Sequence, residues 1–192
     1  SAAEEGLLLS PENERISDWS RDGRYILFAR FTQENGYDLW YLKRTGEQQW
    51  EPHALLETTA NERSHKLSPD GQYIAYISDE SGKYEVYVRS FPKGDRKWPV
   101  STNGGTQVRW NRNGTELFYV EDGTLNAVEV RTTPTFSLGK PVRLFDHTAF
   151  TNWYDPSYDV SPDGKRILLA ESAGPNAGKR RNPRSSELVR RV

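Results

Sequence analysis

The sequence predicts an all-β protein, a β-propeller built from four four-stranded antiparallel blades, either closed as a small ring or part of a larger propeller. Three observations carry this expectation. First, a polar turn running into an apolar stretch recurs four times, with its glycines at Gly23, Gly71, Gly114 and Gly164. Their spacing of roughly 43 to 50 residues is the period of a propeller blade. Second, the turn chemistry is shared: Ser20-Arg21-Asp22-Gly23, Ser68-Pro69-Asp70-Gly71, Asn111-Arg112-Asn113-Gly114 and Ser161-Pro162-Asp163-Gly164. In such a turn Pro presets φ, Asp or Asn bonds nearby backbone, and Gly takes the position of positive φ. Where Arg21 and Arg112 replace Pro, the Asp-Gly or Asn-Gly pair remains as the stronger hairpin signal. Third, each turn follows an apolar or aromatic residue (Trp19, Leu67, Trp110, Val160) and precedes an apolar run.

Taken in order, Leu7 to Leu9 reads as a lone strand with no partner nearby in sequence. Repeat one then offers Glu14 to Trp19 as its innermost strand, Tyr25 to Phe31, Tyr37 to Leu42 after the Glu34-Asn35-Gly36 turn, and Glu51 to Leu56. Pro52 suits the last of these as an outer edge. Repeat two begins at about Glu62 and continues through Tyr73 to Ser78, Tyr84 to Arg89 after Ser81-Gly82, and an outer strand ending near Trp98 to Val100. Repeat three offers Thr106 to Trp110, Glu116 to Glu121, Leu125 to Val130 after Asp122-Gly123, and Pro141 to Phe145. Repeat four begins near Tyr158, with a second strand at Arg166 to Ala170 and a third at Glu187 to Val192. Between these two, Ser172 to Arg184 carries Gly174, Pro175, Gly178 and Pro183 and reads as a loop. Repeat four thus has no fourth strand while the N-terminus has a spare one. Either Leu7 to Leu9 completes repeat four and removes an open sheet edge, or it belongs to a preceding blade outside this chain.

On length alone, 192 residues allow one domain or two. Blades share a continuous core, so residues 1–192 are expected to form one propeller domain or propeller fragment, with repeats at about 14–57, 62–101, 105–146 and 153–192. A net charge of −1 sets up no field that favours nucleic acid or a membrane surface. The absence of Cys excludes disulfides, thiolate catalysis and cysteine–metal sites. Met is absent even from position 1, so the sequence is expected to start at an internal or processed position. No apolar run reaches 18 residues, and no membrane insertion is expected.

Catalytic signatures are lacking. No Gly-x-Ser-x-Gly elbow occurs, so a serine triad within the chain is not expected. His53, His65 and His147 stand far apart without His-x-His spacing, and no glycine-rich phosphate loop precedes a helix. The reading is therefore no catalytic residue, no metal and no cofactor. Ligand-binding residues are expected just before each turn, where the innermost strand faces the propeller axis. These are Glu62, Arg63 and His65 in repeat two, with Asn61 beside them, then Gln107 and Arg109 in repeat three, and Trp153, Tyr154 and Asp155 before repeat four. Arg, acid and aromatic side chains together have the composition of a binding surface. The same residues, alternatively, hydrogen-bond the blades across a wet channel. Lys179, Arg180, Arg181, Arg184, Arg190 and Arg191 form a basic tail, solvated or in contact with an acidic partner. No stacking aromatic accompanies it, which argues against single-stranded nucleic acid.

The text Leu67-Ser68-Pro69-Asp70-Gly71, the turn Ser78-Asp79-Glu80-Ser81-Gly82 and the strand Glu85-Val86-Tyr87-Val88 resemble the TolB-like, WD-like propeller repeat. The resemblance extends from about Ile16 to Leu169. More narrowly, Tyr87-Val88-Arg89-Ser90-Phe91-Pro92 followed by Trp98, Ser101 and Gly104-Gly105 resembles the C-terminal propellers of bacterial membrane-anchored serine/threonine protein kinases. That resemblance implies a periplasmic or otherwise extracytoplasmic sensory module for a protein or peptide partner, with no catalytic residue in the propeller. It also implies six or more blades, so that four mark a fragment or an unusual closed ring. Apart from the resemblance, two such chains are expected as one alternative to pair as a homodimer completing a larger ring. Peptidases of the prolyl oligopeptidase class carry similar propellers. The alternative implied function is therefore the propeller portion of a larger hydrolase, gating a separate catalytic domain.

Overall fold

The computed structural model describes residues 10–148, 150, 157–170 and 186–190, and no helix occurs among them. Blade one pairs β1 (Asn13–Trp19), β2 (Tyr25–Thr32), β3 (Gly36–Arg44) and β4 (Trp50–Leu56) in chain order. Blade two repeats the plan with β5 (Glu62–Leu67), β6 (Tyr73–Ser78), β7 (Glu85–Ser90) and β8 (Lys97–Pro99). Blade three orders β9 (Thr106–Trp110), β10 (Glu116–Glu121) and β11 (Thr124–Arg131), then divides its outer edge. There β12 (Ser137–Leu138) pairs with the end of β11, and β13 (Val142–Asp146) pairs with its beginning. Blade four shows β14 (Tyr158–Val160), β15 (Arg166–Ala170) and β16 (Ser186–Arg190). Every pairing is antiparallel. The fold is an all-β propeller of antiparallel blades, as its turns and spacing predict, with blades one and two each a complete four-stranded sheet. The strand expected at Leu7 to Leu9 and the loop expected at 172–184 lie outside the described residues.

Each turn is held by its own side chains. Ser68 Oγ donates to Asp70 Oδ1 (2.5 Å) and accepts from Tyr73 N (3.0 Å), while Asp70 Oδ1 also accepts from Gln72 N (3.0 Å). The same bonds recur around Ser20 and Asp22, and around Ser161 and Asp163. The third turn substitutes amides: Thr115 N donates to Asn113 Oδ1 and Asn111 Nδ2 to Glu116 Oε2. The last three turns also nest. A Cβ added to Gly114 would lie 3.4 Å from Pro69 Cδ, and one added to Gly164 would lie 2.3 Å from Asn111 Nδ2.

Strand alternation then builds the interfaces between blades, because successive residues face opposite sides of a sheet. On β6, Ala75 and Ile77 join Val108, Leu117, Tyr119 and Val130 of blade three, while Ile74 and Tyr76 face Leu27 and Leu39 of blade one. On β10, Leu117 and Tyr119 face blade two, whereas Phe118 and Val120 meet Tyr158, Ile167 and Leu169 of blade four. Aromatic wedges fill the outer gaps. Phe136, in the connection before β12, has its ring centroid 4.5 Å from that of Tyr73 and 4.3 Å from that of Trp98.

The Gly104-Gly105 text serves packing. Buried Glu85 accepts from Gly104 N (2.9 Å) and from the Ser101 hydroxyl, which in turn accepts from Val86 N (2.8 Å). The chain therefore presses close at Gly105, where an added Cβ would lie 2.6 Å from Ser101 Oγ and 2.8 Å from Val86 Cγ2. Gly105→Ala is accordingly expected to destabilise the chain by about 2 kcal/mol through overpacking. An unchanged urea midpoint would overturn this account of the loop.

Candidate binding site on the propeller axis

The innermost strands are irregular at matching places. The β1–β2 ladder slips between Ile16 and Asp18, the β5–β6 ladder between Arg63 and Lys66, and the β9–β10 ladder opposite Phe118 to Val120. Ser64 and Gln107, at equivalent positions before their turn glycines, hold positive φ values of 52° and 54°. A bulge of this kind interrupts the period-two alternation and re-aims side chains. Arg15, Ile16 and Ser17 of β1, the run from Arg63 to Lys66 of β5, and Val108 and Arg109 of β9 consequently line one cavity of about 280 Å³. Ala29 and Tyr37 complete its wall. A second cavity of about 250 Å³, bordered by Asp18, Arg21, Trp110 and Arg112, opens on the turn side. Lys66 and Arg109 line both cavities and form the waist between them.

Polar bonds tie the inner strands together at this waist. Lys66 Nζ donates to the Ser17 carbonyl, Leu67 N donates to Asp18 Oδ2 (2.9 Å), and Trp110 Nε1 donates to the Lys66 carbonyl (3.0 Å). The Arg63 and Arg15 guanidinium carbons lie 4.0 Å and 5.3 Å from the centre of the Tyr37 ring, within cation–π reach. Burial holds the Lys66 ammonium below its usual pKa; Arg109 adds to this, while Asp18 and Asp159 oppose it. Burial likewise drives His65 down to about 3, with Lys66 adding and the Phe28 backbone opposing, so the imidazole is neutral at physiological pH. Among the described residues Arg109 forms no ion pair, and its Nε is sealed from solvent without a hydrogen-bond partner.

Of the residues expected to face the channel, Arg63, His65 and Arg109 line this cavity. Glu62 does not. It pairs with Ser78 in the regular part of the ladder, ahead of the bulge, so its side chain stays in the face between blades one and two, 1% exposed. There its Oε1 accepts from the hydroxyls of Thr58 (2.8 Å) and Ser78 (3.3 Å). Gln107 is buried too, accepting from Ser157 N and from the Tyr158 hydroxyl (2.7 Å to its carbonyl), and so joins blades three and four. Asn61 binds Asp79 and the Tyr37 amide and does not line the cavity. Trp153, Tyr154 and Asp155 lie outside the described residues. Sequence reasoning missed Arg15, Lys66 and Tyr37. Arg15 stands as far before Gly23 as Arg63 before Gly71, and Lys66 as far before Gly71 as Arg109 before Gly114. Matching offsets were the available signal for those two residues; Tyr37 had none.

The model of the prolyl oligopeptidase N-terminal β-propeller domain matches residues 7–139. The chain belongs to that family. No curated protein sequence matches it. Among solved structures, this prolyl-oligopeptidase-type propeller is similar to a puromycin-hydrolyzing peptidase of Mycobacterium tuberculosis, with a TM-score of 0.59 and 12% identity over 86% of this chain and 26% of that one. It is also similar to the periplasmic gluconolactonase of Pseudomonas aeruginosa, with a TM-score of 0.52 and 15% identity over 79% of this chain and 48% of that one. TolB from Acinetobacter baumannii matches at a TM-score of 0.47 and 17% identity over 78% of this chain and 47% of its own. The chain thus spans less than half of each of these relatives. The first two likenesses establish the fold and leave activity open. The family model describes a peptidase-linked propeller, and the narrower kinase resemblance gains no support from it.

Proposed function

We propose that the chain is a non-enzymatic binding propeller, a single domain that holds a protein or peptide partner at its axial cavity and the surrounding blade loops. The observation that carries this reading is the convergence of Arg15, Arg63, Lys66, Arg109 and Tyr37, from three inner strands and a neighbouring one, on one cavity. Two of those strands hold non-glycine residues at positive φ beside it. Backbone held in so sparsely populated a region persists only where its surroundings enforce it, and such sites cluster at ligand clamps. A displayed peptide library selected on the immobilised chain tests this. Enriched peptides that lose binding to the Arg63→Ser/Arg109→Ser variant support it; no enrichment, or binding indifferent to the variant, overturns it.

The family match favours a second reading, the propeller portion of a larger hydrolase that controls access to a separate catalytic domain. A fluorophosphonate probe is expected to leave this chain unlabelled under either reading. Stoichiometric labelling would overturn the assignment of a non-catalytic propeller. A catalytic domain encoded beside it in the parent gene would favour the second reading over the first.

A further inference from the structure

We infer that the axial cavity takes a carboxylate carried on an apolar stem, a chemistry shared by the C-terminal residue of a peptide and by a small free acid. The inference rests on reading this cavity as the binding site. Among the described residues its lining includes four basic side chains, Arg15, Arg63, Lys66 and Arg109, and no carboxylate. Asp18 and Asp159 act on Lys66 from outside that lining. Among the described residues neither Arg15, Lys66 nor Arg109 forms an ion pair. Like charges gathered in a partly buried cleft repel one another, and an anion entering between them relieves that repulsion.

The geometry narrows the anion. Arg15 and Arg63 both lie against the Tyr37 ring, which limits the freedom of their planar guanidinium groups before any ligand arrives. A planar fork of N–H donors matches the two oxygens of a carboxylate. One part of the remaining wall is apolar, from Val108, Ala29 and Ile16, the last 79% exposed at the rim, and Ser17, Ser64 and His65 complete the lining. That apolar part adds nothing to the binding of bare phosphate or sulfate, whereas an aliphatic or aromatic stem buries surface against it. A volume of about 280 Å³ lies at the small end of ligand sites and suits one residue rather than a long peptide.

The test is calorimetric titration of the whole chain with three probes: N-acetyl-Ala-Ala-Phe bearing a free C-terminus, the same peptide as its C-terminal amide, and 3-phenylpropionate. The free-acid peptide is expected to bind at least about ten-fold tighter than the amide, a difference that Arg109→Gln removes. If Arg109→Gln does not fold, as judged by circular dichroism, Arg15→Gln at the exposed rim provides the second variant. Phenylpropionate binding as tightly as the peptide acid would identify a free acid as the source; weaker binding would identify a peptide terminus. Equal binding of acid and amide would overturn the carboxylate assignment while leaving the peptide-binding reading intact. No binding by any probe to the folded chain would overturn the inference too, and the display selection would judge the wider reading separately.

Discussion

Phe118→Ala is expected to lower the stability of the chain by about 4 kcal/mol, read as a fall in the urea midpoint at unchanged slope. The ring is fully buried where β10 meets blade four, packed among Leu125, Ala127, Phe150, Tyr158, Ile167 and Leu169. Truncation removes the transfer free energy of an aromatic ring and leaves a cavity that close-packed neighbours fill only in part. Its neighbour Leu117 is equally buried but faces blade two, so Leu117→Ala weakens the other interface. A loss below about 1 kcal/mol for Phe118→Ala would show that blade four is not packed on blade three as described.

The second large effect is a dependence on pH set by Glu62. Burial pushes its carboxyl from the model-compound value of 4.5 up to about 7, with Asp38 and Glu80 adding to the shift and the hydroxyls of Thr58 and Ser78 opposing it. Both hydroxyls approach Oε1, while Oε2 is sealed without a hydrogen-bond partner among the described residues, so a charge there lacks support. Between pH 4.5 and about 7 the folded chain binds this proton more often than the unfolded one. Stability from this group is therefore complete below the unfolded pKa, declines as pH rises, and is lost above the folded pKa. After allowance for partial solvent screening the effect is about 2 kcal/mol. Glu62→Gln is expected to leave melting at pH 5 nearly unchanged and to raise it at pH 8. Parallel melting profiles for the two proteins across that interval would overturn the assignment.

The architecture was legible because its signal is local. Ser68, Asp70 and Gly71 bond within their own turn, so the sequence displays the motif without knowledge of distant contacts. The divided outer edge of blade three was not legible. Ser137 and Leu138 form a strand of two residues, anchored by Phe136 against Tyr73 and Trp98 of blade two, which no local pattern signals. The site was half legible for a similar reason. Position before the turn picked out Arg63, His65 and Arg109, which line the cavity between the inner strands, but extending the same logic to Glu62 ignored the bulge that follows it. That bulge depends on Ser64 adopting φ of 52°, a conformation that serine does not advertise as glycine would.

The nested turns give the array a direction. Gly114 is the socket for Pro69, and Gly164 the socket for Asn111, so blades three and four each accept a side chain from the turn before. Gly71, by contrast, has nothing within 4 Å of an added Cβ. A tandem copy of a repeat must therefore offer a glycine backward and a compact side chain forward. By that rule an extra copy of repeat two, spliced directly after the original, keeps both contacts: its Gly71 counterpart meets a proline, as Gly114 does, and its own proline meets Gly114. Transplanting repeat four to the same place would satisfy the rule equally, since Pro162 and Gly164 occupy the matching positions. An array lengthened by such copying would keep these turn contacts, whereas the divided outer edge of blade three imposes no such rule on its neighbours.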